Sequence, residues 1–169
     1  YLNGFFIKNI KRNTILSTNE MGKLKKSEVK FSTSKMQYNI EDNGSEIEYT
    51  IIPNVDGNAE IRRLTLRNLG LLDEEFEITG VIEGIFSNIH QDIAHPVFNN
   101  MFLDIEYEKE NDIFIIQRND RDEKNSKYYF GIKMYSNNPA NINNTRFEID
   151  KEKFLGRKNS EYPDMVNNS

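Results

Sequence analysis

The amino-acid sequence predicts an all-β domain of antiparallel strands. Apolar residues alternate with a period of two along most of the chain, and turn residues recur about every 10 residues. Helical periodicity never persists beyond two turns, the one candidate being Lys151 to Leu155. Short strands joined by tight turns are the pattern of an antiparallel sandwich.

The elements follow in order. Phe5 and Ile7 alternate in the first strand; Val29, Phe31 and Thr33 alternate in the second, and Met36, Tyr38 and Ile40 in the third. Asn43-Gly44 then gives a hairpin turn, because both residues tolerate the positive φ such turns require. Ile47, Tyr49 and Ile51 form the next inward row, closed by Pro53. After Asp56-Gly57, "AEIRRLTLRN" puts Leu64 and Leu66 on one face and Ile61 on the other. Beyond Gly70, a long strand is predicted with Phe76, Ile78, Gly80, Ile82, Gly84 and Phe86 on one face. The segment "NIHQDIAHPVFNN" reads as a loop. Met101 to Tyr107, Ile113 to Gln117, and Tyr128, Phe130, Ile132 and Met134 give three further strands, the first two joined by the polar turn "KENDI". Residues 1–155 are thus expected to form the β-domain, and residues 156–169 a partly ordered exit strand or linker.

Composition supports a folded chain with a polar surface. The 37% hydrophobic content is low, but it includes 11 Phe and 8 Tyr at patterned positions, and 169 residues suffice to bury a core without disulfides or metals. Cysteine is absent, which excludes disulfide frameworks, Cys-based zinc sites and thiol catalysis, and fits a cytoplasmic, reducing compartment. No run approaches the roughly 20 apolar residues of a membrane span, and no signal-peptide pattern is present. Tyr1 stands at the start and strand pattern begins at once, so the chain is expected to begin inside a longer polypeptide. With a net charge of −5 and its basic residues dispersed, the chain is not expected to bind nucleic acid; Lys23, Lys25 and Lys26 read as a solvated loop.

Candidate chemistry is sparse. His90 and His95 share one loop with Asp92, but a zinc site would need further ligands from distant elements, so both read as loop histidines bonded to backbone. Pro96 fixes the backbone after His95. The carboxylate runs Asp73-Glu74-Glu75 and Glu106, Glu108, Glu110 would serve glycoside hydrolysis only if two carboxyls converged on a cleft, one of them with a raised pKa. Their positions in a turn and on alternating strand faces read as solvated surfaces instead. Nucleophile-elbow, P-loop and dinucleotide motifs are absent. Without Trp, sugar stacking would fall to Tyr and Phe, most of them at inward positions. Asn-x-Ser/Thr triplets at Asn43, Asn143 and Asn167 are expected by chance in so Asn-rich a chain.

Three segments go beyond a generic strand pattern. Ala59 to Phe86, "AEIRRLTLRNLGLLDEEFEITGVIEGIF", resembles "VEVRRLTLTN-x-G" followed by a strand of the "E-L-T-S-Y-x-E" type. Gln91 to Arg121 is similar to "DxAHPAFxxLFVxTEY…LLAxRRPR", and Arg146 to Ser160 to "YETDRxRFxGRGR". "FFIKN" also resembles an initial "FIYIRD" strand. These patterns belong to the amino-terminal β-supersandwich domain of glycoside hydrolase family 94, formerly glycosyltransferase family 36. The similarity is nearest the branch of cyclic β-1,2-glucan synthases and 1,2-β-oligoglucan phosphorylases.

The resemblance implies an antiparallel β-supersandwich of the galactose mutarotase-like kind, paired in the parent protein with an (α/α)6 barrel. In the family the barrel holds the general acid and the site for inorganic phosphate, so the resemblance assigns this chain no catalytic residue, cofactor or metal. It implies architectural roles for Asp92, Ala94, His95, Pro96 and Phe98, for Arg62, Arg63, Thr65 and Asn68, and for Phe154, Gly156 and Arg157. Gln91, Asp92, His95, Phe98 and Asn99 are the residues expected at a cleft edge or interface. The implied partners are the catalytic barrel of the same polypeptide, β-glucan, and a second copy in a homodimer. Leu16-Ser17 departs from the family's Trp-Ser, and the family's strands upstream of Tyr1 are missing, leaving an edge expected to be exposed or paired. The competing expectations are a stand-alone carbohydrate-binding or protein-interaction module and, more remotely, a small metal enzyme using His90 and His95.

Overall fold

A computed structural model describes residues 2–24, 26–87, 89–95, 101–119, 128–138, 145–157 and 161–168, apart from the side chain of Gln91. The chain divides into two compact units, one of Tyr1–Glu83 with Lys151–Ser169 and the other of Gly84–Asp150.

In the first unit, strands β1 (Asn3–Asn9), β2 (Thr14–Ser17) and β7 (Phe76–Ile82) form an antiparallel sheet in the order β2-β1-β7. Strands β3 (Ser27–Phe31), β4 (Met36–Asp42), β5 (Ser45–Pro53) and β6 (Glu60–Asn68) form a four-stranded antiparallel meander. A 3-10 turn, Thr18–Lys23, links β2 to β3 and drives Met21 into the core. The second unit holds helix α1 (Ile89–Ala94) and strands β8 (Leu103–Glu108), β9 (Ile113–Arg118) and β10 (Tyr129–Ile132), ordered β10-β9-β8. Helices α2 (Lys151–Leu155) and α3 (Asp164–Asn167) belong to the first unit. No helix among the described residues is long and apolar enough to cross a membrane.

Turn chemistry sets the register. Asn43 (φ 49°) and Gly44 (φ 82°) both take positive φ, as a two-residue type I′ turn demands, and leave Asp42 paired with Ser45. At the β1–β2 hairpin, Asn13 has φ 52° and the Asn9 side-chain oxygen accepts from the Arg12 N–H at 3.0 Å. Between β8 and β9, the Glu108 carboxylate accepts from the backbone of Glu110 and Asn111 at 2.9 and 3.1 Å.

The central strand β1 is buried on both faces. Ile7 joins Met21, Ile40, Ile47 and Tyr49 in one core between the two sheets, where Phe5 meets Tyr49 edge-on at 5.8 Å. On the opposite face Phe6 and Leu2 pack with Phe154 of α2 and Val166 of α3. Lys8, on that second face, donates from Nζ to the Asn167 carbonyl at 3.0 Å, placing a cation at the carboxyl end of α3. The first unit is therefore three layers: meander, three-stranded sheet, helices.

Four elements differ from the sequence-based expectation. The β7 strand stops at Ile82 instead of reaching Phe86, because its ladder partner β1 begins at Asn3, which stands opposite Ile82. Strand β2 is too short for alternation to reveal it. The segment read as a loop contains the helical turn α1. The tail after Gly156, expected as a partly ordered exit strand or linker, carries α3, whose Val166 is buried in the second core. Gly156 (φ 62°) ends α2 in the left-handed conformation, its N–H bonded to the Glu152 carbonyl at 2.8 Å. This reversal turns the tail back toward Phe6.

Candidate functional site

The expected interface residues lie around α1. Asp92 is buried and accepts from the Ser87 hydroxyl at 3.4 Å, a contact that ties the helix to the segment before it. His90 is exposed on the helix and His95 is exposed just after it. Phe98, Asn99 and Pro96 lie outside the described residues, as does the side chain of Gln91. Among the described residues, no three His, Cys, Asp or Glu side chains group as a metal site requires.

Other positions singled out in the sequence hold the frame. Arg62 joins the Glu60 carboxylate to the Asn3 side chain, linking β6 to the start of β1. Asn68 brackets the loop after β6, accepting from the Gly70 N–H at 2.9 Å and donating to the Leu72 carbonyl at 2.7 Å. Phe154 anchors α2 in the second core, and the Arg157 N–H donates to Asp164 at 2.9 Å.

One carboxylate of each run takes a structural role. Glu74 accepts from Arg12 at 2.7 Å and from the Asn9 amide at 2.8 Å, stitching the loop before β7 to the β1–β2 turn. The Arg12 guanidinium, followed by the Asn9 amide, holds the Glu74 carboxyl below the usual carboxylate range. Glu108 is likewise held low, chiefly by the Asn111 side chain and then by backbone N–H donors. Both groups favour the ionised form, the opposite of what a general acid needs.

The Glu74 pairing has a testable pH signature. Its folded pKa lies below its unfolded one, so the stabilisation is present above the unfolded value and is lost as pH falls through the lowered folded value. Carbon-detected NMR titration should find Glu74 among the last carboxylates to protonate on acidification. Arg12→Ala should move it up toward the ordinary range. An unmoved titration in that variant would dispose of the ion pair.

A cleft of about 390 Å³ opens at one end of the first unit, between its two sheets. Register explains its lining. On the inner face of one sheet Asn9 stands between Thr14 and Phe76, and on the inner face of the other Asp42 pairs with Ser45. One step deeper on the same faces, Ile7 pairs with Leu16 and Ile40 with Ile47. The inner faces thus change from apolar to polar at the end of the sandwich, giving a hydrocarbon floor under a polar mouth. Lys26, Glu41 and Asn43 complete the mouth. Leu16, which stands where the family pattern has Trp, lines the cleft. The sequence carried a signal for this site: Asp42 and Ser45 fall in phase with Ile40 and Ile47, at positions where alternation alone calls for apolar residues.

A family model described as glycosyl hydrolase 94, supersandwich domain, matches residues 3–168. The chain is also 28% identical over 134 residues to the cyclic beta-(1,2)-glucan synthase NdvB of Rhizobium meliloti (strain 1021). That alignment covers 78% of this chain and 5% of the relative.

Proposed function

The chain belongs to the glycosyl hydrolase 94 supersandwich domain family, and from that premise we propose that it is a non-catalytic β-sandwich domain of a carbohydrate-active enzyme of the β-glucan phosphorylase or glycosyltransferase type. Its role is to support an (α/α)6 catalytic barrel of the same polypeptide and to contact glucan.

The observation that carries this reading is the extent of the family match, residues 3–168, which assigns nearly the whole chain to the supersandwich. The chemistry of the carboxylates agrees: Glu74 and Glu108, one from each candidate run, are pushed toward ionisation by their donors. In this reading the α1 segment, with Gln91, Asp92, His95, Phe98 and Asn99, is an interface toward the barrel or a second copy. No cofactor is assigned to the domain; inorganic phosphate is a substrate of the parent enzyme, in the cytoplasm.

The test is direct. Purified chain incubated with β-1,2-linked gluco-oligosaccharides and inorganic phosphate should release no glucose 1-phosphate above the protein-free rate. Chain-dependent release would overturn the non-catalytic assignment.

A further inference from the structure

We propose that the cleft at the end of the first unit is a saccharide site, taking the end of a neutral gluco-oligosaccharide between the β1–β2 and β4–β5 hairpins. The choice of sugar rests on the proposed function above; the case for a site rests on the cleft itself.

Its volume of about 390 Å³ falls in the roughly 300–1,000 Å³ range of ligand clefts, toward the small end. The floor is apolar, with Ile7, Ile40 and Ile47 beneath and the Phe76 side chain at one wall. The mouth offers donors and acceptors together: the Thr14 hydroxyl, the Asn43 amide, the Asp42 carboxylate and the Lys26 ammonium. A pyranose has the same division, with C–H faces that suit an apolar floor and hydroxyls that both donate and accept. An apolar ligand would leave the polar mouth without partners. An anion would meet the Asp42 carboxylate beside a single ammonium, so neither alternative fits as well.

Ser45 adds a polar group between the apolar floor and the mouth. The residue is 4% exposed, occupies an inner-face position beside Asp42, and lines the cleft. Its hydroxyl has no hydrogen-bond partner among the described residues, whereas the equally enclosed Asn9 is satisfied by Glu74 and Arg12. No buried side-chain polar atom among the described residues lacks a partner, so this hydroxyl opens onto the cleft, where a sugar hydroxyl can pair with it. The Asn43 side chain donates to both Asp42 oxygens at 3.0 and 3.1 Å, which leaves its own carbonyl oxygen at the mouth as an acceptor.

The experiment is an amide and methyl NMR titration of the chain with β-1,2-linked gluco-oligosaccharides at millimolar concentration. Shifts should concentrate at Thr14, Asp42 and Ser45 with the methyls of Ile7, Ile40 and Ile47. Ser45→Ala removes only the hydroxyl and should weaken binding about five- to tenfold, the effect of one lost hydrogen bond. Thr14→Val, at an exposed position on the opposite wall, gives the same readout should the first variant fail to fold. Shifts that map instead to the exposed Tyr129 face of the other unit would overturn the cleft while leaving glucan contact standing. Absence of any shift would overturn both the cleft and glucan contact, leaving the non-catalytic assignment to its own assay. Unchanged affinity in both variants would remove the polar mouth from recognition.

Discussion

Phe6→Ala is expected to lower the stability of the chain by about 3–5 kcal/mol, the range for deleting a buried aromatic ring. Phe6 is 2% exposed and sits on the helix-facing side of the central strand. Its ring meets that of Phe154 at 6.2 Å, and Leu2 and Val166 close the same cluster. Each of the helices at the carboxyl end is only one turn or so long, too short to persist without tertiary contacts. Removing the ring therefore leaves a cavity and also takes away the surface on which both helices are ordered. Urea unfolding followed by circular dichroism should show a large fall in midpoint. Amide exchange over residues 151–157 should accelerate even where the strands remain protected. Phe31→Ala is the matched control: Phe31 is 75% exposed on the edge strand β3, so its loss should fall within about 0.5 kcal/mol. Similar losses for the two variants would mean that the helices do not form a third layer on the sheet.

Most of the strand framework was legible because one physical rule dominates it. In β5, Ile47 and Tyr49 alternate with Glu46, Glu48 and Thr50, and the inward row of the structure is the one the alternation names. Asn43-Gly44 fixed the adjoining register for an equally local reason, the positive φ at both positions. Legibility fails where an element's existence depends on a distant partner. Gly84 and Phe86 continue the alternation of β7, yet β1 offers them no ladder. The helical turn at Asp164 has no periodicity to announce it and exists because Val166 finds Phe6 and Leu2, more than 150 positions away in the chain. The cleft was hidden for a related reason. Asn9, Thr14, Asp42 and Ser45 are unremarkable residues near turns until pairing sets them on facing inner surfaces. The α1 segment stands apart, since its resemblance to a family pattern named the residues without giving their geometry. Asp92 proves buried and His95 exposed, a distinction no pattern of letters carries.

Gly4→Ala should destabilise the first unit by about 2–4 kcal/mol, combining a backbone penalty with a steric one. Gly4 opens the central strand at φ 151°, a region that residues with a β-carbon seldom enter. A β-carbon built there would overlap the Thr18 hydroxyl, whose oxygen accepts from the Phe5 N–H at 2.9 Å. Thr18 is buried at the junction of β2 and the 3-10 turn, so it cannot swing away without abandoning that N–H. The strand would then lose a hydrogen bond at the point where it enters both cores. A double-mutant cycle separates the two contributions. Thr18→Ala alone should cost about 1–3 kcal/mol by leaving the Phe5 N–H unsatisfied. In the Gly4→Ala background the same substitution relieves the overlap, so its cost should shrink or reverse, giving a coupling of about 1–2 kcal/mol. The measurement is the midpoint of urea unfolding for the four proteins at constant m-value. Strict additivity would show that Thr18 does not occupy the space above Gly4, and the remaining cost of Gly4→Ala would then belong to the backbone alone.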